Sequence, residues 1–256
     1  MPSDGSNERT GVIGAGVMGA GIAQVLAVAG CEVVLHDVDA DALARAEQEV
    51  RRGRYGLEAT VARGTLTEDA ATAALTRLRA TTELAEAAAT DLVLEAVPER
   101  LDLKLGVFRE LDRLAPAGTI LASNSSGLPI AALAAATERP ELVIGWHWAS
   151  PPVVMRLAEI VRTPKTSEAT VARVRELATR AGKRPVVVQD HPAVWGYVAN
   201  RVYAAARAEA QAVVDAGIAT AEEVDQLMVD AFRWPVGPFG MVRGATSGWK
   251  GGNEAG

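Results

Sequence analysis

Few side chains in this sequence can move a proton near neutral pH: it holds three histidines and one cysteine. His147 sits at the end of the apolar run "LVIGWHW", just before the polar "ASPP". It can be read as a packed strand histidine or as a base placed to take a proton from a substrate. His36 and His191 have no partner by pattern and receive no role. A second group of residues offers different chemistry. Gly14, Gly16 and Gly19 form G-x-G-x-x-G within "GVIGAGVMGAGIAQ". Gly14 permits a tight turn, Gly16 lets the backbone approach a pyrophosphate, and Gly19 lets the following helix pack closely. The helix N-terminus then presents free N–H groups to phosphates. Asp37 ends the second apolar run, "CEVVLHD", where it can accept hydrogen bonds from an adenosine ribose. Its charge would repel a 2′-phosphate, and "DVDADA" supplies no arginine to hold one, so the pattern reads as NAD rather than NADP. The bland alternative is a glycine-rich turn in an unrelated α/β protein.

These groups need a frame that brings them together. Apolar runs and helical patterns alternate. Val12 and Ile13 lead into a helix stopping at Gly30, and "CEVVLHD" follows. Residues 41–80 read as helical, with Thr67 as an N-cap. "DLVLEAVPE" is a strand broken by Pro98, and Leu101, Leu105, Phe108 and Leu111 mark an amphipathic helix. "TILASNSS" and "LVIGWHW" are further strands. The alternation predicts α/β architecture: a doubly wound, mostly parallel, Rossmann-like sheet followed by a smaller, mostly helical C-terminal domain. In such sheets ligands sit beyond the C-terminal ends of the strands, where Asp37, Glu95, residues 123–126 and His147 would converge. Residues 156–189 add strand, helix and strand, after which helices dominate, with Thr220 and Glu223 as a capping box. The expected division is a dinucleotide-binding domain over 1–190 and a helical domain over 191–256. The polar start and the glycine-rich ending are expected to be loose tails.

Composition narrows the class. A formal charge of −6 without clustered excess cations argues against a nucleic-acid partner. Arg51, Arg52 and Arg54 read as a solvated face. No apolar stretch reaches the roughly 18–20 residues of a membrane helix. The single cysteine, Cys31, excludes an internal disulfide and fits a reducing, cytoplasmic compartment. No metal site is expected.

Several spaced motifs coincide along nearly the whole chain: "GVIGAGVMGAGIAQ", "LVLEAVPE", "ILASNSS", "VIGWHW" with "SPP", "LAEIVRTPKTS", "GKRPVVV", "VANR" and "PVGPFG". In this order they resemble the NAD-dependent L-3-hydroxyacyl-CoA dehydrogenases. The resemblance implies hydride transfer between NAD and an L-3-hydroxyacyl thioester, an acyl-CoA, in an active site between two domains, and it allows a homodimer. It makes His147 the general base and Glu159 the carboxylate paired with it. Ser126 corresponds to the serine near the substrate oxygen and nicotinamide, and Asn200 to the second polar contact with substrate. Glu99 and Lys104 match positions that touch the cofactor, and Arg63 lies near the family's basic residue for the CoA moiety. The chemistry agrees with these assignments. Histidine can remove the hydroxyl proton, glutamate can fix its tautomer, and the serine and asparagine can hold the oxygen as it becomes a carbonyl.

Three segments depart from the family pattern. Trp148, Ala149, Ser150 and Pro151 replace its Phe-Phe-Asn-Pro, so Ser150 stands where an asparagine normally reaches the nicotinamide. "DHPAVWGYVANR" is longer than the usual form, and its Trp195 and Tyr197 could reshape an acyl pocket. Beyond "GPF" the usual helical continuation gives way to "GMVRGATSGWKGGNEAG". These departures keep two alternatives open. One is a related dehydrogenase of another 3-hydroxy acid, such as gulonate or a carrier-protein-bound hydroxyacyl group. The other is a non-catalytic NAD-binding protein. Trp146 and Trp148 read as core or pocket wall.

Overall fold

The computed structural model describes residues 8–191 and 195–241, so the glycine-rich ending and the first seven residues lie outside the described residues, while Arg9 and Thr10 of the polar start already belong to the first strand. Along the chain, β1 (Arg9–Ile13) leads through a glycine turn into α1 (Val17–Val28), followed by β2 (Glu32–His36). A helical excursion comes next: α2 (Ala40–Arg52), α3 (Leu57–Ala62) and α4 (Glu68–Thr76). The chain returns through β3 (Leu78–Thr81), α5 (Leu84–Ala88), β4 (Leu92–Glu95), α6 (Leu101–Leu114), β5 (Ile120–Ser123) and α7 (Ile130–Ala134). It continues with β6 (Val143–Trp148), β7 (Leu157–Arg162), α8 (Glu168–Arg180) and β8 (Arg184–Gln189). Two further helices are α9 (Ala199–Asp215) and α10 (Ala221–Phe232).

One eight-stranded sheet runs in the order β3-β2-β1-β4-β5-β6-β7-β8. The chain leaves β1 toward β2 and returns to β4 on its other side, which creates the crevice where doubly wound sheets bind ligands. Helices cover both faces, so β4, β5 and β6 are buried along their whole length. Adjacent residues supply opposite faces: Val12 enters one apolar core with Ile22, Leu94 and Trp146, and Ile13 enters the other with Phe108, Leu121 and Ile130.

The structure corrects the sequence reading at one place. Residues 78–80, included in a helical stretch, form edge strand β3 together with Thr81, hydrogen-bonded to β2. Its middle residues, Arg79 and Ala80, are exposed, so it lacks the apolar run that reveals a buried strand. β7 runs antiparallel to β6, because no helix separates them. Thr67 caps α4 by accepting the Ala70 N–H, as expected.

The chain divides into two compact units, Met1–Tyr197 and Val198–Gly256. In the second, the Thr220 and Glu223 capping box opens α10. The "GPFG" turn is fastened to that helix: Asp225 accepts the Phe239 and Gly240 N–H groups, each at 2.7 Å. The Tyr203 hydroxyl donates to Pro238 O, and the Arg207 guanidinium lies 4.4 Å from the Phe239 ring centre. Among the described residues no helix is long and apolar enough to cross a membrane.

Candidate active site

The glycine turn is built as its spacing requires. Gly14 has φ 102°, and a Cβ there would stand 2.8 Å from Ala96 O. A Cβ on Gly19 would lie 1.7 Å from Gly14 O, so the helix packs on the turn only without one. Gly16 differs, because a Cβ there would meet nothing within 4 Å. The fold does not demand a glycine at 16, and its bareness leaves open space before the N-terminus of α1. The Asp37 carboxylate is fixed beside the turn by the Ala15 N–H at 2.8 Å and the Asp39 N–H at 3.0 Å. Open backbone, helix N–H groups and an acid acceptor suit a dinucleotide with a free ribose 2′-hydroxyl. A cavity of about 460 Å³ opens alongside, lined by Gly16, Gln24, Arg54, Tyr55 and Pro152 among others.

Next along the sheet, β4 and β5 end in a polar cluster. Glu95 is wholly buried; its Oε1 accepts from the Lys104 ammonium at 2.6 Å and from Val97 N at 2.7 Å. Its Oε2 accepts from the Ser123 hydroxyl at 2.6 Å. Burial pushes this carboxyl upward, against the pull of Lys104. Lys104 reaches Glu99 as well, at 3.3 Å. Glu99 Oε1 in turn accepts from the Ser125 hydroxyl at 2.6 Å and from Ser126 N at 2.8 Å. Burial raises the Glu99 carboxyl, but the Ser125 hydroxyl, Lys104 and the Ser126 N–H outweigh it and hold it below the usual range.

Beyond lies the histidine. His147 on β6 stands directly opposite Glu159 on β7. Nδ1 lies 2.7 Å from Glu159 Oε2, with both residues buried. The carboxylate accepts from Nδ1, which assigns the ring hydrogen to that nitrogen. Alternation sends Trp146 and Trp148 to the opposite face, where both are core. On the histidine's face, Tyr197 packs edge-on at 5.7 Å between ring centres and donates its hydroxyl to Leu128 O. Burial pushes that phenol well above its ordinary range, so it stays neutral. Asn124 ties the serine loop to this strand by accepting the Trp148 N–H at 2.9 Å.

The ends of β2, β1, β4, β5 and β6 thus carry, in sheet order, Asp37, then the glycine turn of Gly14, Gly16 and Gly19, then Glu99 and Ser126, then His147 paired with Glu159. Ser150 is exposed in the loop that follows β6. Lys104, expected at the cofactor, is 1% exposed, and its ammonium is surrounded by oxygens of Glu95, Val97 and Glu99. Arg63 caps α3 and bonds to Arg54 O and the Thr60 hydroxyl, on the helical excursion rather than at a strand end. Asn200 stands in the first turn of α9, in the second unit. Sequence reasoning missed the partners of Glu95 and the packing of Tyr197 on the imidazole. An acid ending a buried strand ahead of a lysine nine residues on was the available signal for the first.

Compared with known proteins, residues 9–191 match the family described as 3-hydroxyacyl-CoA dehydrogenase, NAD binding domain. Residues 196–251 match 3-hydroxyacyl-CoA dehydrogenase, C-terminal domain. The chain is 41% identical to a 3-hydroxybutyryl-CoA dehydrogenase of Mycobacterium tuberculosis, over 91% of this chain and 80% of that one. It is 37% identical to a 3-hydroxybutyryl-CoA dehydrogenase of Bradyrhizobium diazoefficiens, over 92% and 78%. The crystal structure of (S)-3-hydroxybutyryl-CoA dehydrogenase from Ralstonia eutropha superposes with a TM-score of 0.87 at 36% identity, covering 92% of this chain and 81% of that one.

Proposed function

Because the chain belongs to the 3-hydroxyacyl-CoA dehydrogenase family and is an NAD-dependent oxidoreductase, we propose that His147 and Glu159 form its proton-transfer pair, acting on a short 3-hydroxyacyl-CoA. The relatives named for 3-hydroxybutyryl-CoA support the short acyl chain. The observation that carries the proposal is the buried 2.7 Å contact between Nδ1 and Oε2 across two paired strands.

Bound at the glycine turn, NAD supplies hydride acceptance from the alcohol carbon. Everything else falls to the chain. His147 Nε2 takes the hydroxyl proton as the carbonyl forms, and Glu159 balances the charge that the imidazole acquires. Ser126 holds the oxygen, and the family resemblance extends the same role to Asn200. Gly14, Gly16, Gly19 and Asp37 hold the dinucleotide, with Glu99 and Ser150 toward its nicotinamide end. Arg63 is proposed for the phosphates of CoA. The enzyme is further proposed to be cytoplasmic and homodimeric; a lone cysteine, buried and unpaired, suits a reducing compartment.

The direct test follows NADH oxidation with acetoacetyl-CoA. Turnover in the native protein and its loss in His147→Gln are expected. Equal rates in the two proteins would remove the histidine from the reaction. Efficient reduction of acetoacetyl-carrier protein or of dehydrogulonate, with acetoacetyl-CoA ignored, would move the enzyme to another 3-hydroxy acid. NADH binding without any turnover would make it a non-catalytic binder.

A further inference from the structure

The carboxylate of Glu95 is too deep to meet a ligand, being 0% exposed, yet it sits at the C-terminal end of β4 beside the crevice. It anchors a continuous series of contacts leading outward. Ser123 Oγ donates to Oε2, Lys104 Nζ donates to Oε1, and the same ammonium reaches Glu99 Oε2. Glu99 Oε1 then accepts both the Ser125 hydroxyl and the Ser126 N–H. Ser123 Oγ also accepts the Ser125 N–H at 3.1 Å, so the loop is gripped from both ends of the series. Lys104 has three donor hydrogens and three protein oxygens around it, at 2.6, 3.1 and 3.3 Å. Its geometry is that of a coupling between two carboxylates.

We propose that Glu95 is a positioning residue for the alcohol-binding serine: acting through Lys104 and Glu99, it fixes the backbone at Ser126. The inference rests on the dehydrogenase reading for its effect on turnover, but its structural half stands apart from that reading. Glu95 fixes Lys104 at the buried end of the series. Lys104 then holds Glu99 in the one place where it meets the Ser126 N–H. Without the Glu95 charge, Lys104 draws toward Glu99 alone, and the serine loop gains freedom.

Two readouts on Glu95→Gln, an isosteric change, test this in the full chain. Amide hydrogen exchange over residues 123–128 should quicken by about tenfold while the sheet core stays protected. Unchanged exchange in that loop overturns the proposal whether or not the enzyme turns over acetoacetyl-CoA. In the active enzyme, kcat should fall by up to about 10²-fold, as expected for a misplaced oxygen contact, with any loss in NADH affinity smaller than the loss in kcat because only the Glu99 contact at the nicotinamide end is disturbed. An intact kcat, whatever the NADH Kd, would overturn the proposal. The double variant with Lys104→Met should be no worse than the more severe single change, whereas independent, multiplying losses would break the series. Should Glu95→Gln not fold, Ser123→Ala removes two contacts, to Glu95 Oε2 and from the Ser125 N–H, and leaves the ion pair; exchange should quicken at Ser125 while the Ser126 N–H stays protected by Glu99, and equal quickening at both would overturn the proposal. If the native protein binds NADH but turns over nothing, the functional reading fails, and the exchange measurement still decides the role of Glu95.

Discussion

At the scale of single residues, Glu159 occupies Nδ1 of His147, and the proposed proton transfer runs through the other ring nitrogen, Nε2. Replacing His147 by Gln should lower kcat by about 10²–10⁴-fold with little change in fold, read by steady-state NADH oxidation and circular dichroism. Glu159→Gln keeps the shape but removes the charge and unsettles the tautomer; a loss between about 10- and 10⁴-fold in kcat is expected, with KM little changed. A Glu159→Gln variant as active as the native protein would show that the carboxylate is only a strand residue. Neither partner announces the pairing by its own local sequence; only the family resemblance supplied it. His147 and Glu159 lie twelve positions apart, and nothing local distinguishes Glu159 from a surface acid.

At the scale of elements, the glycines of the first turn separate a folding requirement from a binding requirement. Gly19→Ala would drive a methyl into Gly14 O, where the built Cβ lies 1.7 Å away, so destabilisation of about 3 kcal/mol or more is expected in urea unfolding. Gly16→Ala meets open space; the same unfolding curve should shift by less than about 0.5 kcal/mol. Its NADH Kd, followed by fluorescence titration, should rise about tenfold or more, since a pyrophosphate must pass close to this backbone. Unweakened binding in that variant would place the dinucleotide elsewhere. In the second unit, Thr220→Ala should cost about 1 kcal/mol by breaking the capping box of α10. The turn and both caps were legible in the sequence because each is local. Strand β3 was not, because an exposed edge strand of four residues has no buried face to enforce alternation.

At the scale of the molecule, the second unit leaves large apolar side chains exposed, among them Val202 at 65% and Phe232 at 68%. Such surface is what a homodimer would cover. Light scattering at micromolar concentration should give about twice the 26.7 kDa chain mass, and Phe232→Glu should lower it. A strictly monomeric native protein would refute the homodimer while leaving the chemistry of the first unit untouched.

What the sequence alone determined was everything carried by short spacing: the glycine turn, the acid that follows it, the alternation that yields a doubly wound sheet, and the caps. It also placed Asp37, Ser126 and His147 at strand ends, since a parallel sheet puts all those ends on one side. The tertiary structure decided the partnerships. Register across an antiparallel pair set His147 against Glu159. Burial also made Lys104 a bridge between Glu95 and Glu99, a partnership no local run of residues announces. The physical reason is that a side chain's neighbours across a sheet depend on strand order and register, and those are fixed by the burial of the whole core rather than by any local run of residues.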